Sequence, residues 1–235
     1  MMRKLLSCLV LGLLCLMSFA SADPGSYLDE IVAELNKRWP ESRTVNVVFH
    51  GHSVPAGYAR TPIVNTLQAY PHQVLEGIKE HYPRAVVNVI TTAIGGEQSE
   101  QGAARFEQEV LCHRPDVLLI DYALNDRTIG LERSERAWRS MIEAALARGV
   151  KVILLTPTPD LSENILSDGA RLQAHAEMIR RLAAEYETGL ADVYAVFRRI
   201  AQSGGRISDY MSQVNHPNKL GHTVAAREIL RWFVR

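Results

Sequence analysis

Thr44-Val45-Asn46-Val47-Val48-Phe49-His50-Gly51-His52-Ser53-Val54-Pro55-Ala56-Gly57-Tyr58 is the stretch from which the fold is read. Residues 44–50 are β-branched and apolar on both faces of an extended chain, as a buried strand requires. A Ser beside Gly then sits on a tight turn. Working outward, the same strand composition recurs at 85–92 (AVVNVITT), 116–122 (DVLLIDY) and 150–156 (VKVILLT), with a short fifth candidate at 190–193. Helical patterns occupy the intervals. They cover 27–38, with Ser26 as cap and Pro40 as stop, and 63–82, with Pro71 as a break or restart. Further helices are expected over 97–112, 131–148 (closed by Gly149), 168–188, 194–202 and 217–234. Apolar strands alternating with helices predict an α/β fold: a three-layer α/β/α sandwich around a roughly five-stranded parallel sheet. In such sheets ligands sit beyond the carboxyl ends of the strands. The residues following each strand are therefore the candidates for chemistry.

The 235 residues carry 26 basic and 26 acidic side chains. Zero net charge gives no global attraction to nucleic acid or to an anionic membrane surface. Arg3 and Lys4, the apolar run 5–20 and Ala20-Ser21-Ala22 have the layout of a cleaved signal peptide. The run is interrupted by Ser7, Gly12 and Ser18 and is short for a spanning helix, so no stable membrane insertion is expected after cleavage. Cleavage after Ala22 predicts a secreted or periplasmic protein whose residues 23–235 form a single domain, with 24 basic against 26 acidic side chains. Cys8 and Cys15 leave with the leader. Cys112 then stands alone and is expected as a buried small hydrophobe.

Each post-strand segment has an ordinary and a chemical reading. Ser53 suits a nucleophile on a tight turn and equally a helix cap; Pro55 rules out the G-x-S-x-G elbow. Gly95-Gly96 after the second strand can bring backbone N–H groups to a ligand, or can simply turn the chain. Asn125 after the third strand can offer a side-chain amide to an oxyanion, or form an Asx turn, with Asp126 capping or orienting the loop. His216, taken as opening the last helix, can reach the carboxyl edge as a general base, or act as a cap.

The order of these four residues along the chain resembles the SGNH, or GDSL-type, hydrolase superfamily, esterase- and lipase-like enzymes with a flavodoxin-like fold. Ser53 lies in GHSVPAGY, Gly96 in IGGEQSEQGAARF, Asn125 in ALND and His216 in NHPNKLGH. Arg114-Pro115-Asp116-Val117 and Thr156-Pro157-Thr158-Pro159 also look like that family. The resemblance implies a serine esterase in which Ser53 attacks an ester carbonyl and His216 takes its proton. It implies an oxyanion hole made by the Ser53 and Gly96 N–H groups and the Asn125 amide, and no metal or organic cofactor. Three departures stand out. His52 replaces the usual Asp before the nucleophile. Ala123 replaces a Gly two residues before Asn125, where its methyl is expected to narrow the acyl side of the pocket. Gln213 stands three residues before His216, where the triad Asp is usual. Asp209 is the candidate substitute if its loop bends back; a Ser–His dyad helped by a backbone carbonyl or Gln213 is the other solution.

His50-x-His52 also admits a metal reading with Asp121 and His216. Packing of His50 against the sheet and hydrogen bonding by His52 account for the same residues without a metal. A non-catalytic binding domain of the same fold is a further alternative, motivated by the missing acid. For an exported esterase of this kind, the expected substrate is a short acyl or O-acetyl group on a saccharide. Lysophospholipase or general carboxylesterase activity is the runner-up. Arg60 and Arg127 follow two of the loops and are expected as solvated surface charges rather than substrate contacts.

Overall fold

The computed structural model describes residues 21–234. The leader expected over 1–22 lies, but for its last two residues, outside the described residues. Five strands form one parallel sheet: β1 (Thr44–Gly51), β2 (Val86–Thr91), β3 (Val117–Asp121), β4 (Lys151–Leu155) and β5 (Gly189–Ala191), in the order β2-β1-β3-β4-β5. Alternate residues along each strand feed opposite layers. Val47, Phe49, Val117, Leu119 and Ile153 face one apolar cluster. Val48, Leu118, Ile120, Val152 and Leu154 face the other. Strands buried on both faces in this way explain why the sequence reads as unbroken apolar runs.

Helices α1 (Asp29–Asn36), α3 (Tyr70–His81), α9 (Val193–Gln202) and α10 (Lys219–Leu230) contribute to the first layer through residues such as Leu35, Ile78, Phe197 and Ile229. Helices α7 (Leu131–Leu146) and α8 (Arg171–Glu185) cover the second through Trp138, Met141, Ile142, Ile179 and Leu182. Each such aliphatic side chain contributes roughly 1.5–3 kcal/mol on full burial. Shorter turns α2 (Ser53–Ala56), α4 (Ser99–Ala104), α5 (Phe106–Glu109) and α6 (Ala123–Asp126) follow the strand ends. Among the described residues no helix is long and apolar enough to cross a membrane.

Several elements differ from the sequence reading. Ser26 does not cap α1; its hydroxyl donates to Asp23, and the cap residue is Leu28 without a side-chain bond. The helix expected over 63–82 is a 3₁₀ turn at Thr66–Gln68 followed by α3, with Pro71 in the first turn, where its missing N–H costs nothing. The helix expected over 97–112 breaks at Arg105, whose side chain turns inward to Glu97 and the Thr92 carbonyl. Cys112 is exposed on the 3₁₀ turn that follows, not buried. His216 does not open α10. It belongs to a small antiparallel pair, β6 (Met211–Gln213) and β7 (His216–Pro217), and Asn218 caps the helix through Gly221 N–H at 3.1 Å.

Candidate active site

In the order β2-β1-β3 the chain leaves β1 toward one side and returns to β3 on the other, which opens a crevice at their carboxyl ends. Ser53 begins α2 directly after β1, and Asn125 lies in α6 after β3. Gly51 allows the two strand ends to close up: a Cβ there would collide with the Asp121 carbonyl oxygen. The β2 end is fastened to β1 by the bond from Ile94 N–H to the Gly51 carbonyl at 3.0 Å. The following turn needs glycine at Gly96, where φ is +80°.

His216 Nε2 lies 2.9 Å from Ser53 Oγ, and both residues are only 6% exposed. His216 Nδ1 lies 3.0 Å from the Ala59 carbonyl oxygen, which can only accept. That contact puts the ring proton on Nδ1 and leaves Nε2 free to take the Ser53 proton. The Gln213 amide nitrogen is 2.7 Å from the same Nδ1, and as a donor it favours the opposite tautomer. The amide is held that way round because its oxygen accepts Thr61 N–H at 3.0 Å. Tyr58 packs its ring against His216 with centroids 5.9 Å apart, and against Gly95, where a Cβ would come within 2.8 Å of it. Burial lowers the pKa of His216 and outweighs the Ala59 contact, which raises it. The imidazole is therefore neutral, as a base must be.

Asn125 donates one amide hydrogen to the Glu97 carbonyl at 2.9 Å, which holds it against the Gly96 turn. Its second amide hydrogen and the N–H groups of Ser53 and Gly96 donate to no described residue. Three unspent donors thus stand on the loops around Ser53. Asp126, fully buried, fixes α6 beneath them. It accepts Ser99 N–H at 2.8 Å, Ser134 Oγ–H at 2.6 Å and Trp138 Nε1–H at 2.9 Å. Behind the glycine turn, Glu97 accepts both Arg105 Nε and Nη2 and the Tyr122 hydroxyl. Burial opposes ionisation of Glu97, but these donors leave its pKa lowered.

Three expectations need correction. The Asp209 carboxylate pairs with Arg206 at 3.2 Å on an outward-facing turn and makes no hydrogen bond to His216. Ala123 is fully buried in the second apolar cluster, so its methyl packs in the core and does not line an acyl pocket. Arg127 is not solvated: its guanidinium bonds Asp160 at 2.6 Å and Glu163 at 2.7 Å, tying α6 to the loop after β4. Arg60 is exposed, as expected. His50 is engaged by Thr92 at 2.9 Å, the Gly102 carbonyl at 3.3 Å and the Tyr122 hydroxyl at 3.1 Å. Burial drives its pKa down to about 4. The Ala59 carbonyl had no signature in the sequence, since a backbone acceptor can come from any residue type. Asp121 entered only as a metal candidate; its place at the end of a buried strand was the available sign of a partnered carboxylate.

The profile of the GDSL-like lipase/acylhydrolase family matches residues 49–224. The chain belongs to that family. As an SGNH-type carboxylic ester hydrolase it has relatives of known activity. An acetylxylan esterase of Geobacillus stearothermophilus is 23% identical over 195 residues, which cover 77% of this chain and 87% of the relative. A crystal structure of an acetylxylan esterase from that organism superposes with a TM-score of 0.70 at 22% identity, covering 81% of this chain and 96% of the other. A two-domain esterase active on acetylated mannans superposes with a TM-score of 0.72 at 21% identity, covering 88% of this chain and 52% of the other. An uncharacterized lipoprotein of Bacillus subtilis is 29% identical over 89 residues, 34% of this chain and 37% of that one. Structures of the acetylxylan esterase include catalytic mutants at an aspartate and at a histidine three positions after it. This GDSL-type chain has Gln213 and His216 at that spacing.

Proposed function

We propose that this enzyme removes short acyl groups, acetyl above all, from saccharides through an acyl-enzyme on Ser53, and that it works as a single exported domain over 23–235. The observation that carries the reading is the 2.9 Å contact between Ser53 Oγ and a His216 whose other nitrogen faces the Ala59 carbonyl. Ser53 attacks the ester carbonyl as His216 Nε2 takes its proton. The oxyanion is met by the N–H groups of Ser53 and Gly96 and the free Asn125 amide hydrogen, each such donor worth ~2.7–4 kcal/mol in the transition state. As the C–O bond breaks, His216 returns the proton to the leaving sugar oxygen, which departs as a hydroxyl. Water, activated by the same imidazole, then releases the acid. The acetylxylan and acetylmannan esterases among the relatives support a saccharide as the alcohol.

A second reading, hydrolysis of longer acyl esters, draws on Ile94 and Val214, 46% and 51% exposed on the segments that carry Gly96 and His216. Both readings are tested together. Wild type hydrolyses an aryl acetate, and Ser53→Ala loses at least ~10³-fold in kcat. A series of aryl esters of rising acyl length and a panel of acetylated oligosaccharides then rank substrates by kcat/KM. Highest values for acetyl, with acetate released from the glycans, support the proposal. A maximum at long acyl chains overturns it in favour of the second reading.

A further inference from the structure

Beneath the nucleophile lies a buried pair that acyl transfer does not use. His52 is 1% and Asp121 3% exposed. His52 Nδ1 accepts the Val54 N–H at 3.1 Å and so caps α2, the turn that carries Ser53. That bond places the ring proton on Nε2, which lies 3.4 Å from Asp121 Oδ1. Neither of these two atoms has a hydrogen-bond partner among the described residues. The other oxygen of Asp121 is already used by the Tyr70 hydroxyl at 2.9 Å. A carboxylate so enclosed is strongly disfavoured without a cationic or N–H partner, and the imidazole of His52 is the group placed to serve.

We propose that His52 and Asp121 are a matched pair: Asp121 holds the His52 ring so that its Nδ1 fixes the Ser53 turn. His52 is thus a positioning residue, and this inference rests on Ser53 being the nucleophile. The groups facing the pair are few. Asp121 comes from the end of β3, His216 from β7, Tyr70 from α3 and His222 from α10, and the Tyr122 ring stands 6.5 Å from that of His52. Replacing His52 by Asp would set two carboxylates face to face, and these cannot both ionise. Neutralising Asp121 at the same time removes that conflict.

The experiment compares Ser53→Ala, His52→Asn, His52→Asp, Asp121→Asn and His52→Asp/Asp121→Asn on an aryl acetate, with kcat, KM and the pH profile of kcat/KM for each and a thermal melt as a check of folding. The expected result is a loss of roughly 100-fold in kcat for His52→Asp, KM within ~3-fold, and recovery of at least ~10-fold in the double variant. His52→Asn keeps an acceptor near Val54 N–H but releases Asp121. It is expected to lower kcat about tenfold with KM within ~3-fold, because the ring that fixes the Ser53 turn is gone. If His52→Asp does not fold, His52→Asn and Asp121→Asn decide. A His52→Asn enzyme with wild-type kcat overturns the pair, as does a folded double variant no better than folded His52→Asp. A fully active Ser53→Ala enzyme overturns the proposed function and the pair with it; an inactive one beside an unchanged His52→Asn overturns the pair alone.

Discussion

At the scale of single residues, the chemistry turns on one nitrogen. His216 Nδ1 has an acceptor, the Ala59 carbonyl, and a competing donor, the Gln213 amide. The lowered pKa of His216 places the acidic limb of kcat/KM below the ordinary imidazole value, where protonated Nε2 no longer accepts the Ser53 proton. Gln213→Glu is nearly isosteric and replaces the competing donor by an acceptor. One of its oxygens can keep the Thr61 N–H bond while the other takes Nδ1–H. The expected outcome is a rise of about tenfold in kcat and an acidic limb moved to higher pH, since a carboxylate favours the imidazolium. Unchanged kcat in a pH series on an aryl acetate would show that the Ala59 carbonyl alone sets the tautomer.

At the scale of elements, Asp126, the last residue of α6, is joined to the start of α4 and to α7 through three buried hydrogen bonds. Asp126→Ala leaves the Ser99 N–H, the Ser134 hydroxyl and the Trp138 indole without that acceptor. A loss of roughly 3–5 kcal/mol is expected in urea unfolding, together with reduced kcat because the neighbouring Asn125 loses its support. Wild-type stability would mean that other acceptors take over these donors. The strands and most helices were legible because burial on two faces writes apolar runs and burial on one face writes a stripe. The β6–β7 pair was not legible. Its five residues contain no apolar alternation, and it exists because Gln213 and His216 pair across a two-residue turn. The inward turn of Arg105 was hidden for a similar reason: its partners Glu97 and the Thr92 carbonyl meet it only once β2 and α4 are packed.

At the scale of the whole molecule, stability is tied to pH by two buried neutral histidines. Burial takes both His50 and His222 down to about 4. The unfolded chain protonates them near 6.5, so between pH 6.5 and 4 it binds protons that the folded state refuses. Stability is therefore full above pH 6.5 and falls as the pH drops through that window, by roughly 3 kcal/mol per histidine. Melting temperatures across pH 4–7 check this. His222→Gln, which keeps an acceptor for Tyr70 N–H, is expected to flatten part of the slope; an unchanged slope would place the acid sensitivity elsewhere. The sequence by itself determined the α/β class, the family and the post-strand segments on which Ser53, Gly96 and Asn125 lie, because strand burial and the residues that follow a strand are read along the chain. Only the tertiary structure decided what partners His216. Asp209 faces Arg206 and the Ala59 carbonyl faces Nδ1, a backbone acceptor that no residue type announces and that 157 positions of chain separate from the histidine it orients.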